Sequence, residues 1–177
     1  MHKSIDHLFQ KMENHREDLY QRLQSYPSEV MNEKVNGDSW SVVQVIDHLI
    51  LSEQSTIEYL KKKTTGGEPI PSAGPASFFR YLMLKFAMIL PIKFRAPRFI
   101  GNPDNSATLD QAMSRWKTVR LQLDQLLSTM TAEQINAEVF KHPIAGKMNL
   151  KQALKFIQSH VDRHTQQIFS ILKQLEA

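Results

Sequence analysis

The last part of the chain carries the pattern that most limits its fold. From Leu150 to Leu175, apolar residues recur at spacings of three and four, and so line one face of a helix. Such a helix is about 39 Å long at the usual rise per residue. Asn149 just before it and Gln152 three residues later form a capping pair typical of a helix start. Because an amphipathic helix gains most of its stability from packing its apolar face, we expect further long helices.

Three other segments have the same periodicity: residues 4–25, 41–63 and 108–130. Two of them begin with a capping box, Ser41 with Gln44 and Thr108 with Gln111. No stretch alternates apolar and polar residues for long enough to predict a substantial strand. The sequence therefore predicts an all-α four-helix bundle that forms one domain over residues 1–177.

The connection between the second and third of these helices is long, from residue 64 to residue 106. It contains Gly66, Gly67, several prolines and an extra helical piece near residues 76–90. A connection of that length can carry the chain back along the bundle, so we expect the second and third helices of the bundle to run parallel. The two shorter connections are expected to join antiparallel neighbours.

The chain contains no cysteine, which excludes disulfides, cysteine-based zinc sites and a thiol nucleophile and fits a reducing compartment. The amino-terminal residues are charged where an export signal needs an apolar core, so a cytoplasmic location is expected. The most apolar run, YLMLKFAMILPI, is short, contains Lys85 and ends beside a proline. It therefore argues against stable membrane insertion.

The net charge of +4 is concentrated in residues 76–100, which hold five basic residues and no acidic one: Arg80, Lys85, Lys93, Arg95 and Arg98. No nucleic-acid-binding motif accompanies them, so nucleic acid is not an expected partner. Aromatic residues lie between the basic ones. This segment can dock on a membrane surface or an acidic partner, recognise an anionic substrate, or cover one end of the bundle as a lid. The lid is favoured because an open bundle leaves apolar ends to cover.

Two histidines four residues apart, His160 and His164, share a face with the apolar stripe of the last helix. A chain of this composition contains about 0.3 such pairs by chance, so the spacing alone is weak evidence. Their inward position adds weight, because buried imidazoles need partners. Each can hydrogen-bond to a neighbour, or both can bind one divalent cation. His48, beside the inner face of the second helix, is the candidate third ligand, and three histidines suit Zn, Ni, Cu or Fe.

The remaining four histidines are weaker candidates. His2, His7 and His15 lie near the terminus or on the polar side of the first helix, and His142 lies in a loop where a turn or capping role is expected. Val161 stands where the zinc-protease motif H-E-x-x-H would have its glutamate, which excludes that class of protease.

Two stretches resemble the DinB/YfiT-like superfamily: WSVVQVIDHLILSEQ and HPIAGKMNLKQALKFIQSHVDRHTQQI. That family combines a tryptophan-serine helix start and a histidine-leucine pair with a histidine-proline loop, a glycine and an H-x-x-x-H helix followed by glutamine. The matching residues are Trp40, Ser41, His48, Leu49, His142, Pro143, Gly146, His160, His164 and Gln167. The resemblance covers nearly the whole chain. It departs at Ile144 and Ala145, where relatives often have an aromatic residue.

The resemblance implies a four-helix bundle that holds a divalent transition metal, zinc or nickel, through His48, His160 and His164. Some relatives are S-transferases or isomerases that use a low-molecular-weight thiol, and most have no assigned reaction. For this chain it implies transferase chemistry on a small-molecule substrate. The thiol must then be a cosubstrate, because the chain has no cysteine. The alternatives are a metal-dependent hydrolase and a non-catalytic metal-binding or interaction module, and a homodimer stays open.

Glu53 and Gln167 are candidate supporting residues. Glu53, about one turn beyond His48, can hydrogen-bond to a ligand histidine, act as a general base, or be a solvated charge on an exposed face. Gln167, one turn beyond His164, can line the pocket or lie on the surface. Residues 76–99 are expected to pack over the bundle and to help shape the entrance to the metal.

Overall fold

A computed structural model describes residues 2–67, 69–89 and 103–176 of the protein. The elements in chain order are α1 (Lys3–Leu23), a short 3₁₀ helix (Ser28–Met31), α2 (Val42–Thr65), α3 (Pro75–Ile89), α4 (Leu109–Thr129), α5 (Ala132–Asn136), β1 (Phe140–His142), β2 (Gly146–Met148) and α6 (Leu150–Leu175). The four long helices are α1, α2, α4 and α6, at the positions that the apolar periodicity predicts. The extra helix of the long connection is α3.

The helix starts follow from the capping residues. Ser41 accepts a hydrogen bond from the backbone N–H of Gln44, whose side chain accepts one from the Ser41 backbone. The same reciprocal pair opens α4 at Thr108 and α6 at Asn149. Each box satisfies backbone donors that the first helical turn leaves without partners. The boundaries read from these residues are therefore confirmed.

The polar contacts between α2 and α4 establish their relative direction. Asp47 on α2 pairs with Arg115 on α4 at 2.6 Å, and one to two turns further along both helices Glu53 pairs with Arg120. Because the residue numbers rise together, α2 and α4 run parallel. The long connection from residue 64 to residue 106 makes this possible, and the predicted parallel arrangement is confirmed.

Helices α1 and α6 form a second parallel pair. His15 lies 3.0 Å from Asp162, and one to two turns later the Arg22 guanidinium lies 3.9 Å from the centre of the Phe169 ring. Between the four long helices lies one continuous core of buried side chains that include Leu19, Ile46, Trp116 and Leu154. No helix among the described residues combines the length and apolarity needed to cross a bilayer.

Helix α3 packs on the outside of α6. Ser77 hydrogen-bonds to Gln152 near the start of both helices, and Arg163 donates to the Met88 carbonyl near the end of α3. The prediction that residues 76–99 pack over the bundle is confirmed for one side of α3. The lid predicted over one end of the bundle is wrong, because α3 lies along α6 and leaves large apolar side chains such as Phe79 exposed. Residues 90–99 lie outside the described part of the chain.

The sequence did not predict the two-stranded hairpin that precedes α6. Phe140 pairs with Met148, and both side chains are buried. Gly146 has a φ of +84° at the start of β2, a backbone conformation that glycine adopts without strain. Strands of three residues are too short to produce a recognisable alternation, which explains why the pattern missed them.

Candidate metal centre

The three predicted histidines meet between α2 and α6. The Nε2 atom of His160 lies 3.4 Å from Nε2 of His48 and 3.1 Å from Nε2 of His164. One ring nitrogen from each residue lies within 4.8 Å of the other two. His48 is 5% exposed, and the two histidines of α6 are half-buried. The helical spacing of four places His160 and His164 on one face, and α2 brings His48 against it.

The geometry and the hydrogen bonds fit a metal ligand set. Two Nε2 atoms at about 2.0–2.1 Å from one tetrahedral zinc ion would lie about 3.4 Å apart, close to the two separations seen here. Nδ1 of His164 lies 2.8 Å from the amide oxygen of Gln167. Since a carbonyl oxygen only accepts, Nδ1 must donate, and Nε2 then carries a lone pair. Gln167 thus lines the site and fixes His164 in the tautomer that can bind a metal through Nε2.

All three imidazoles favour the neutral state. Burial lowers the pKa of His48 to about 4, with a smaller contribution from His164. Burial also lowers the pKa of His160 well below its usual value, and the neighbouring His164, His48 and His142 add to the effect. The pKa of His164 is lowered mainly by burial, and the hydrogen bond to Gln167 opposes that change. Neutral imidazoles are the form that binds a cation.

Aromatic rings support two of the histidines. The Trp40 ring lies 5.2 Å from the His48 ring, and Phe156 stacks on His160 at 5.7 Å between ring centres. Among the described residues, the buried Nδ1 of His48 has no hydrogen-bond partner. Packing therefore orients His48, whereas a hydrogen bond orients His164.

His142 has the turn role predicted for it. Its Nδ1 accepts hydrogen bonds from the backbone N–H groups of Ile144 and Ala145 at 3.2 and 3.1 Å. Nδ1 is thereby occupied, and the ring of His142 contacts Phe156 at 4.6 Å. Burial lowers the pKa of His142 to about 4, so this ring is also neutral at pH 7.

Glu53 is buried rather than solvated. It is 1% exposed, and its two oxygens accept hydrogen bonds from Nε and an Nη of Arg120 at 2.6 and 2.7 Å. The alternative of a solvated charge on an exposed face is wrong, because Arg120, also 1% exposed, compensates the charge inside the bundle. The role of Glu53 as a base or as a partner of a ligand histidine stays a prediction.

Arg120 and His15 were missed by the sequence reasoning. Arg120 lies four residues after the buried Trp116, on the apolar face of α4. A charge at that position was the signal that could have identified it. His15, placed on the polar side of α1, instead contacts α6 through Asp162 at 3.0 Å.

These features define a class of protein: an all-helical bundle whose interior contains three neutral histidines spaced to hold one divalent cation. The chain belongs to the DinB superfamily, whose family pattern matches residues 11–168.

Two proteins of Bacillus subtilis are similar to it. The uncharacterised protein YuaE of strain 168 is 23% identical over 159 residues, which are 90% of this chain and 93% of YuaE. The solved structure of YfiT superposes with a TM-score of 0.65 at 18% identity and covers 99% of this chain and 90% of YfiT. YfiT is described as a probable metal-dependent hydrolase with an unusual four-helix bundle topology. At that identity the likeness establishes the fold.

Proposed function

We propose that this protein is a metal-dependent enzyme that acts on a small molecule, with His48, His160 and His164 as the ligands of one zinc or nickel ion. The observation that carries the proposal is the convergence of three Nε2 atoms, with one pair at 3.1 Å and another at 3.4 Å. A divalent cation held there would supply a positive centre that lowers the pKa of a water or a thiol.

The residues of the chain set the charge of the site. Three neutral imidazoles leave both charges of the cation uncompensated, so an anionic ligand is attracted to it. Among the described residues, the cluster that can hold a metal contains histidines and no carboxylate. Glu53, the nearest candidate base along α2, already has both oxygens on Arg120. A nucleophile that needs no protein base is therefore favoured.

A thiolate meets that requirement better than water does, because a thiol loses its proton far more readily. In the proposed reaction the thiol first releases its proton to solvent. The thiolate sulfur then forms a bond to an electrophilic carbon, and the leaving group departs with the electrons of the broken bond. The thiol is a low-molecular-weight cosubstrate, since the chain has no cysteine. Hydrolysis is the second candidate, favoured by the description of YfiT as a probable metal-dependent hydrolase.

The test combines two activity assays on metal-loaded protein. Conjugation of monochlorobimane to a panel of low-molecular-weight thiols is followed by fluorescence, and hydrolysis of ester and amide substrates is followed in parallel. We expect conjugation above the uncatalysed rate, and loss of that activity in the His160→Ala/His164→Ala variant. The Gln174→Ala variant, altered almost three turns beyond His164 on α6, is the matched control and should keep full activity.

Hydrolysis without conjugation would indicate a metal-dependent hydrolase instead of a thiol transferase. Inactivity in both assays, with metal bound, would favour a non-catalytic metal-binding module. A cytoplasmic location remains part of the proposal, and a homodimer remains an open alternative to a monomer. Fractionation of the native host and light scattering of the purified protein test them.

A further inference from the structure

Helix α3 is apolar on its outer face as well as on its inner one. Four large apolar side chains of this helix are exposed: Phe78 (59%), Phe79 (63%), Met83 (56%) and Phe86 (59%). Buried Ser77 and Leu84 lie on the opposite side, against the bundle. A helix that is apolar all round normally has partners on every side, whereas among the described residues only the inner face of α3 is covered.

The exposed residues form one continuous surface. At 3.6 residues per turn, the four side chains fall within an arc of about 140°. An apolar surface of this kind on an otherwise polar protein marks a place where something binds. We call these four residues the outer face of α3.

The charge at the edge of the outer face, and the sequence that follows α3, indicate what binds there. Lys85 is exposed at that edge. Lys93, Arg95 and Arg98 follow in the sequence outside the described part of the chain, and no acidic residue lies between residues 76 and 100. Arg80 does not contribute a free charge, because its guanidinium contacts Glu138 at 2.6 Å and the Lys147 carbonyl at 2.9 Å. Aromatic side chains flanked by basic ones are the pattern of helices that lie in the interface of an anionic membrane.

We propose that the outer face of α3 docks this protein on the surface of an anionic lipid bilayer, without spanning it. The aromatic rings enter the boundary between headgroups and acyl chains, and Lys85 contacts lipid phosphates. The end of α3 lies against the turn of α6 that carries His164, since Met88 accepts a hydrogen bond from Arg163, the residue before His164. Docking therefore turns this side of α6 toward the membrane surface, whichever reaction the histidine cluster supports.

Co-sedimentation of the full-length protein with phosphatidylglycerol-containing vesicles tests the proposal, with pure phosphatidylcholine vesicles in parallel. We expect binding to the anionic vesicles that weakens with added salt. The Phe79→Ser/Phe86→Ser variant should bind them about tenfold more weakly or worse, because binding scales with the apolar area inserted. Lys85→Glu should reduce binding to the anionic vesicles and leave the weaker binding to neutral vesicles unchanged.

Leu121→Ser is the matched control, since Leu121 is 55% exposed on α4, away from α3. It should bind as the wild type does, and circular dichroism should show all variants folded. Absence of wild-type binding, or an equal loss with Leu121→Ser, would overturn the proposal. The proposal would also be overturned by a dimer that does not bind vesicles and that dissociates when Phe79 and Phe86 are replaced. The outer face of α3 would then be an interface between copies.

Discussion

Replacing Glu53 by glutamine removes one charge from the buried ion pair that joins α2 to α4. Arg120 would keep its charge at 1% exposure, with the side-chain oxygen of Glu13 at 3.6 Å as its nearest remaining acid. Removing one member of a buried pair costs about 3–5 kcal/mol, because the other charge is left uncompensated. Since glutamine keeps one acceptor and Glu13 is nearby, we expect about 3 kcal/mol. In a domain of this size that loss lowers the melting temperature by about 6–12 °C.

The assay is urea denaturation of metal-free protein, followed by far-ultraviolet circular dichroism. Glu17→Gln is the matched control, because Glu17 is half-exposed and pairs with Arg16 at 3.2 Å; it should cost less than about 1 kcal/mol. Glu53→Leu combined with Arg120→Met should recover most of the lost stability, since neither charge of this pair then remains buried. Equal stability of the Glu53→Gln and Glu17→Gln variants would refute the reasoning. Unchanged metal affinity in Glu53→Gln would separate its structural role from a role at the metal.

Two further predictions concern the histidines. Gln167→Ala removes the hydrogen bond that fixes the His164 tautomer and should weaken zinc binding about 10–100-fold, measured by competition with a chromophoric chelator; Gln174→Ala should leave the affinity unchanged. Metal-free protein should lose about 2 kcal/mol between pH 7 and pH 5 from His48 alone, measured as a urea midpoint. The pKa of His48, about 4 in the folded state, lies below its ordinary value of 6.5, so the unfolded chain takes up the proton first. Stability is therefore complete above pH 6.5 and falls as the pH approaches 4, and a midpoint unchanged at pH 5 would contradict this.

The sequence predicted the bundle well, because local signals determine where its helices begin. The boxes at Ser41, Thr108 and Asn149 are formed by residues three positions apart, so a linear pattern contains all the information needed. The same box at Thr131 opens α5, which was missed because five residues show no periodicity. The length of the connection before α4 was enough to predict its direction.

The supporting contacts of the site could not be predicted in the same way. His160 and His164 are found from spacing alone, whereas the burial of Glu53 depends on Arg120, which lies 67 residues away. Until the two helices are placed side by side, the position of Arg120 on the apolar face of α4 does not show that Glu53 is its partner. At the outer face of α3 the error is the reverse one: residues that were expected to be buried are exposed. Its aromatic residues suggested a buried lid, but the helix covers α6 with one side only.

The metal content of protein purified without a nickel column or chelator tests the central claim most directly. Elemental analysis should find about one zinc or nickel ion per chain. If the protein is purified without metal, it should bind either ion in the same ratio when that ion is added. The folded His160→Ala/His164→Ala variant should bind none, and His142→Ala should bind as the wild type does. Metal retained at full stoichiometry by the double variant would contradict the account, as would a folded wild-type protein that binds neither ion.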